Sequence, residues 1–192
     1  MPEAEVHALA DELLAEKDPA RISKYLEIFS VIPFPFEYHI LFRFAKRHGK
    51  SIADKAVHAL TFFSGNDIRA LALEKLHRGQ AFAVYLELLV NNYRTSDALV
   101  LTELVRSCRN QHKCHELIFY LIKIYKANRA KSCRLPLVAI YHKTTCGICR
   151  SEIIGIMLRN DVLPAGIWRE IPYDSLEETR LLGRNAKGPE GH

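Results

Sequence analysis

The most reactive pattern in the chain lies in one short stretch. Cys146-Gly147-Ile148-Cys149 is a C-x-x-C spacing, with His142 four residues before it. An earlier stretch gathers Cys108, His112, Cys114 and His115. Thiolate sulfur and neutral imidazole are the donors that zinc takes in tetrahedral sites. If both stretches lie on one edge of neighbouring helix pairs, four thiolate or imidazole donors drawn from them, with Cys108, Cys114, His142, Cys146 and Cys149 the first candidates beside His112 and His115, could meet at one tetrahedral ion. The earlier stretch lacks the regular spacing of a complete zinc motif, so the residues commit the chain to no metal and no cofactor, with zinc the ion the donors would suit. A C-x-x-C at a helix start among cations also reads as a redox dithiol, because both surroundings lower a thiol pKa. The βαβ context of thioredoxin-like proteins is missing. The plainest reading is that free cysteines pack as small apolar side chains.

The same segment is basic. Arg106, Arg109, Lys113, Lys123, Lys126, Arg129, Lys131, Arg134, Lys143 and Arg150 are opposed within it only by Glu116. Its net +9 compares with +5 for all 192 residues, so the remainder carries −4. Such a field suits a polyanion: nucleic acid, an acidic protein or anionic headgroups. Tyr120, Tyr125 and Tyr141 could add stacking, although Tyr120 falls on an apolar stripe. A solvated outer face is the simpler account, since no nucleic-acid-binding motif accompanies the charge.

These residues need a scaffold, and the composition bounds it. Hydrophobic residues make up 48% and charged residues 26%, which excludes a disordered chain. Nine Gly and eight Pro exclude a collagen-like one. No apolar run approaches the ~18 residues that a membrane helix needs. Five cysteines, an odd number, and an acidic N-terminus without an export signal predict a cytoplasmic chain without a disulfide framework.

Helical periodicity runs from end to end. Val6, Leu9, Ala10, Leu13 and Leu14 form one stripe. Asp18 and Pro19 start a second helix, striped by Ile22, Tyr25, Leu26 and Phe29. Two prolines push 32–36 out of the helix, and a third helix is expected from Glu37 to His48, stopped by Gly49. Ser51, Ser96, Ser132 and Thr145 are the expected caps of later helices, and Phe82, Tyr85, Leu86, Leu89, Val90 and Tyr93 form the clearest stripe. Ser175 and Glu178 read as a capping box over a last short helix that stops at Gly183. Residues 184–192 read as a flexible tail.

Alternate helix starts near Ser51, Gln80, Lys113 and Cys146 recur about every 29 to 34 residues, the spacing of an α-solenoid. The run Asn66-Asp67-Ile68-Arg69-Ala70-Leu71-Ala72-Leu73-Glu74-Lys75-Leu76 resembles the second helix of a HEAT repeat, with Asp followed by an aliphatic-Arg pair. The resemblance is best over 51–78 and weaker over 80–160, where Asp97 recurs without the pair. Residues 1–50 depart from it. It implies an all-α fold: a HEAT-like α-α superhelix of antiparallel helix pairs, one repeat domain over 1–183 with atypical N-terminal helices.

HEAT-like proteins mostly bind macromolecules. The expectation is therefore a non-enzymatic scaffold whose basic surface meets a partner, a protein first and nucleic acid second. A minority of the family are alkyl-base DNA glycosylases, which would use an aromatic wall such as Trp168 and a carboxylate such as Asp161 or Glu170. A zinc- or thiol-dependent regulator is the remaining alternative. Phe34 and Phe36, separated by Pro35, read as a plug for the first helices or as a partner-binding loop.

Overall fold

A computed structural model describes residues 1–46, 50–79 and 82–185. Among these residues the chain is all-α, with twelve α-helices and no strand. It divides into two compact units, Met1–Asn92 and Tyr93–His192.

The first unit holds α1 (Glu3–Ala15), α2 (Pro19–Phe29), α3 (His39–Ala45), α4 (Lys50–Leu60), α5 (Asn66–His77) and α6 (Phe82–Leu88). Asp18 caps α2 as expected, accepting the Ala20 N–H, and Pro19 occupies its first turn. Helices α2 and α4 run side by side in the same direction. Ser23 meets Ser51, and Glu27 meets Lys55, at an identical offset of 28 residues. Ser51 therefore sits inside α4 and faces a neighbouring helix; it is not the cap. The core is built from Leu13, Ile22, Leu26, Phe29, Leu41, Leu60, Ile68, Leu76, Leu86 and Leu89. Phe34 is buried, its ring edge-on to Phe29 at 5.0 Å, so the Phe/Pro stretch plugs the first helices. Phe36 is half-buried and lines an open groove of about 690 Å³ with Leu14, Tyr38, Ile40 and Phe63. The expected end of α3 at His48 and Gly49, the start near Gln80 and the side chain of Phe82 lie outside the described residues.

The second unit holds α7 (Asp97–Ser107), α8 (Gln111–Ala127), α9 (Arg134–Tyr141), α10 (Gly147–Arg159), α11 (Ala165–Glu170) and α12 (Glu177–Asn185). Alternate helices pack together: α7 on α9, α8 on α10, and α10 on α12. Asn110 caps α8 by accepting the Lys113 N–H. Several expected caps do other work. Ser132 lies in a 3-10 turn and bonds the Tyr93 hydroxyl at 2.7 Å. Ser96 makes no side-chain cap; Asp97 accepts the Arg94 N–H instead. Thr145 accepts from Gln111, and Thr144 takes the Cys146 N–H. Ser175 and Glu178 form no capping box, because Asp174 accepts the Leu176 N–H. Gly183 is interior to α12, which also takes in Arg184 and Asn185 of the expected tail; 186–192 lie outside the described residues.

Each unit carries one recurring device. Asn92, buried beyond α6, donates to the Leu88 and Phe63 carbonyls and accepts the Gly65 N–H. Asn160, buried at the end of α10, donates to the Ile156 carbonyl and accepts the Ala130 N–H. In both cases the amide ties a helix end to the turn one helix pair earlier. Buried backbone groups need partners, and these amides supply them where the ladders stop.

Candidate functional site

The reactive residues sit at the starts of α8 and α10. Cys146 is the N-cap residue of α10, in extended conformation, and Cys149 is the third residue of its first turn. The loop before it is pinned by Thr144 on the Cys146 N–H. The first turn of α8 is fixed by Asn110 and by Gln111 Nε2, which donates to Thr145 Oγ1 at 3.1 Å. That bond holds the two helix starts together and carries His115 to the C-x-x-C. His115 Nε2 lies 3.4 Å from Cys149 Sγ. The ligand atoms of His115, Cys146 and Cys149 all lie within 4.8 Å of one another, at an exposed and two half-buried positions.

The two stretches meet through His115, while three of the first candidate donors stay apart from the group. His142 is not part of the group: it ends α9, is exposed, and lies edge-on to the Tyr141 ring at 5.5 Å. The turn at 143–145 separates it from the helix that follows. Cys108 and Cys114 do not join either. They face each other, with sulfurs 2.6 Å apart, and Cys114 is buried. The sequence holds two thiol pairs, and among the described residues only one of them has an imidazole beside it. His112 also stays outside the group.

The thiols differ in acidity. The Cys149 N–H and thiol, then the His115 ring and the Ile148 N–H, favour the Cys146 thiolate over a smaller desolvation penalty, and bring its pKa down to about 7. Burial and the neighbouring Cys146 push Cys149 up to about 11. Burial and the Cys114 thiol do the same for Cys108, at about 11. Cys133 is fully buried and is raised to about 11 by desolvation.

The ten cations are put to several uses. Residues from outside the basic segment neutralise four of them: Glu103 pairs with Arg106, Glu152 with Lys126, Asp161 with Lys131 and Asp174 with Arg150. Lys143 Nζ donates to the carbonyls of Val105, Arg106 and Cys108 at 2.7–3.0 Å, closing the end of α7. Arg129 donates to the Arg159 carbonyl. Lys123 lies over the Phe119 and Tyr120 rings at 4.7 and 5.7 Å. Arg109, Lys113 and Arg134 are exposed, and no carboxylate pairs with them among the described residues.

The stacking tyrosines are also corrected. Tyr125 is fully buried against Tyr93, and burial drives its pKa far upward. Tyr141 is buried, with its hydroxyl on Glu170, and its pKa rises to about 12, first through burial and then through that carboxylate. Only Tyr120 is half-exposed. Trp168 lines a hollow of about 180 Å³ with Ile171, Pro172, Arg180 and Arg184. Its expected carboxylate companions are engaged elsewhere, Asp161 with Lys131 and Glu170 with Tyr141.

No protein-family model matches this chain, and no curated protein or solved structure matches it.

Proposed function

We propose that the chain is a HEAT-like module of antiparallel α-α repeats that binds a macromolecular partner without catalysing a reaction, and that the partner is a protein. The observation that carries this reading is the recurrence of the buried asparagine. Asn92 reaches the turn at Gly65 and Asn160 the turn at Ala130, 27 and 30 residues back. A bond repeated at about one repeat length is what stacked helix pairs require, because no pair has a core of its own.

The charge supports a protein over nucleic acid. A phosphate surface gains its affinity from uncompensated cations that displace counterions. Here four of the ten cations already face carboxylates. The surface is of mixed sign, which suits the patterned complementarity of a protein interface.

The test has two arms. The first is binding of labelled duplex DNA, single-stranded DNA and RNA across a salt series. The expected affinity is no tighter than roughly 100 µM at physiological salt, the weak end of nonspecific binding. Micromolar binding with a steep salt slope would overturn the protein reading and bring back the DNA-repair alternative. The second places a photo-crosslinking residue at His112, exposed in the first turn of α8 beside Lys113, in the cell. One discrete protein adduct is expected, and it should disappear when Arg109, Lys113 and Arg134 are all changed to Glu while helix content is kept. An adduct that survives the triple reversal would remove these cations from the interface.

A further inference from the structure

The geometry points to a zinc site at the surface of the second unit, formed by His115 Nε2, Cys146 Sγ and Cys149 Sγ. This inference does not rest on the partner-binding reading. A tetrahedral zinc with Zn–S of about 2.3 Å and Zn–N of about 2.0–2.1 Å has edges of roughly 3.6 Å between sulfur and nitrogen and 3.8 Å between sulfurs. The His115–Cys149 separation of 3.4 Å is within a few tenths of such an edge. The three donors lie within 4.8 Å of one another, so small side-chain rotations close the set.

The backbone holds the donors in place by bonds that do not use them. Thr144 fixes the Cys146 N–H, Asn110 caps α8, and Gln111 ties that cap to Thr145. Loading the ion therefore requires no rearrangement of either helix. Two sulfurs and one imidazole select zinc over magnesium or calcium, which prefer oxygen. Binding replaces the two thiol protons, which leave to solvent as the thiolates bond the metal. Three protein donors leave a fourth position. His115 is exposed and so is Ile148 between the two cysteines, so that position opens outward to water or to an incoming donor. The second thiol pair is excluded because the Cys108 and Cys114 sulfurs turn to each other.

The full-length chain, reduced and stripped with a chelator, is titrated with cobalt(II) under inert gas. One equivalent should bind, with sulfur-to-cobalt charge-transfer bands and intense tetrahedral ligand-field bands, and zinc should displace it. Cys149→Ser, Cys146→Ser and His115→Gln should each weaken cobalt binding by more than the roughly 10- to 100-fold that loss of an outer-shell partner costs. The Cys108→Ser/Cys114→Ser double variant should bind as the parent does. Where a variant loses helix content, alkylation mapping of the unaltered chain replaces it: zinc should protect Cys146 and Cys149 and leave Cys108 unprotected. Absent charge-transfer bands, bands that survive Cys149→Ser, or bands lost only in the Cys108/Cys114 variant would overturn the site. So would a fully reduced chain that takes up no metal and closes a Cys146–Cys149 disulfide on exposure to air.

Discussion

Asn92 Oδ1 accepts the Gly65 N–H at 2.7 Å, although 27 residues separate them. The same side chain donates to the carbonyls of Leu88 and Phe63. One buried amide thus satisfies a helix end and an earlier turn together. Asn92→Ala would leave three backbone groups without their side-chain partner, and Asn160→Ala would do the same to the Ala130 N–H, while the Ile156 carbonyl keeps the Asn160 backbone N–H. Each unsatisfied buried group costs about 1–3 kcal/mol. Both variants should therefore lower unfolding stability by at least about 1 kcal/mol, read from urea melts. A change inside the ±0.5 kcal/mol typical of surface substitutions would mean that the amides are not structural ties.

Two glycines in the second unit separate propensity from packing. Gly155 lies inside α10, and a Cβ there would meet Leu182 at 4.0 Å, an ordinary contact. Gly155→Ala should stabilise by up to about 1 kcal/mol, the propensity difference in a helix interior. Gly183 lies inside α12, where a Cβ would meet Ile171 Cγ2 at 2.7 Å. The β-branched Ile171 is buried and stiff. Gly183→Ala should destabilise by about 1–3 kcal/mol, as overpacked sites do, despite its better propensity. Thermal melts of the two variants should move in opposite directions.

In the metal-free chain, the thiols should react in order of acidity. The thiolate is the nucleophile. Cys146 should therefore alkylate with a midpoint near pH 7, while Cys149, Cys108 and Cys133 stay slow until well above it. Peptide mapping after iodoacetamide pulses across pH reads this directly. The His115 ring helps to lower the Cys146 pKa, so His115→Ala should move its midpoint upward. Linkage has a defined sign here. A folded-state pKa near 7, below the ordinary thiol value near 9, contributes stability that is full above about pH 9 and fades as pH falls through 7. A Cys146 that alkylates no faster than Cys133 at pH 7 would contradict the hydrogen-bonding pattern around its sulfur.

Much of the helical order was legible because it is local. Asp18 and Pro19 announce α2 within two residues, and the stripe Ile22, Leu26 and Phe29 is buried as its period predicts. Serines read as caps fared worse for a physical reason. Ser51 and Ser132 stand beside helix starts in the sequence, but their hydroxyls bond Ser23 and Tyr93, 28 and 39 residues away. The candidate site is legible in part. The C-x-x-C and the stretch that holds His115 both stand out in the sequence. Which imidazole reaches Cys149 is set by the packing of α8 against α10, across 34 residues, and not by the place of His142 four residues before Cys146. The basic segment looked unopposed because Glu103, Glu152, Asp161 and Asp174 all lie outside its bounds. Contacts between packed helix pairs carry no short-range spacing signature.

Lys143 and Arg134 offer the sharpest contrast among the cations. Lys143 Nζ closes the end of α7 on three carbonyls, two of them at 2.8 Å or less. The last carbonyls of a helix have no partner within it, and a cation there also opposes the helix dipole. Lys143→Ala takes the charged donor from three carbonyls, of which Val105 keeps the Cys108 N–H and Cys108 keeps the Cys114 thiol, and should cost about 1–3 kcal/mol. Lys143→Met, which keeps the apolar stem but removes the ammonium, should cost nearly as much, because the loss is the hydrogen bonding and not the packing. Arg134 is exposed at the start of α9, and Arg134→Ala should fall within about 0.5 kcal/mol of the parent. In the crosslinking assay the roles reverse: Arg134→Glu should weaken partner capture without loss of stability. Urea melts at low and high salt complete the comparison. The penalty of Lys143→Ala should persist at high salt, because a half-buried cation fixed on three carbonyls is screened far less than an exposed pair such as Arg106–Glu103. If the penalty vanishes in salt, Lys143 is one more surface charge and the end of α7 is held by other contacts.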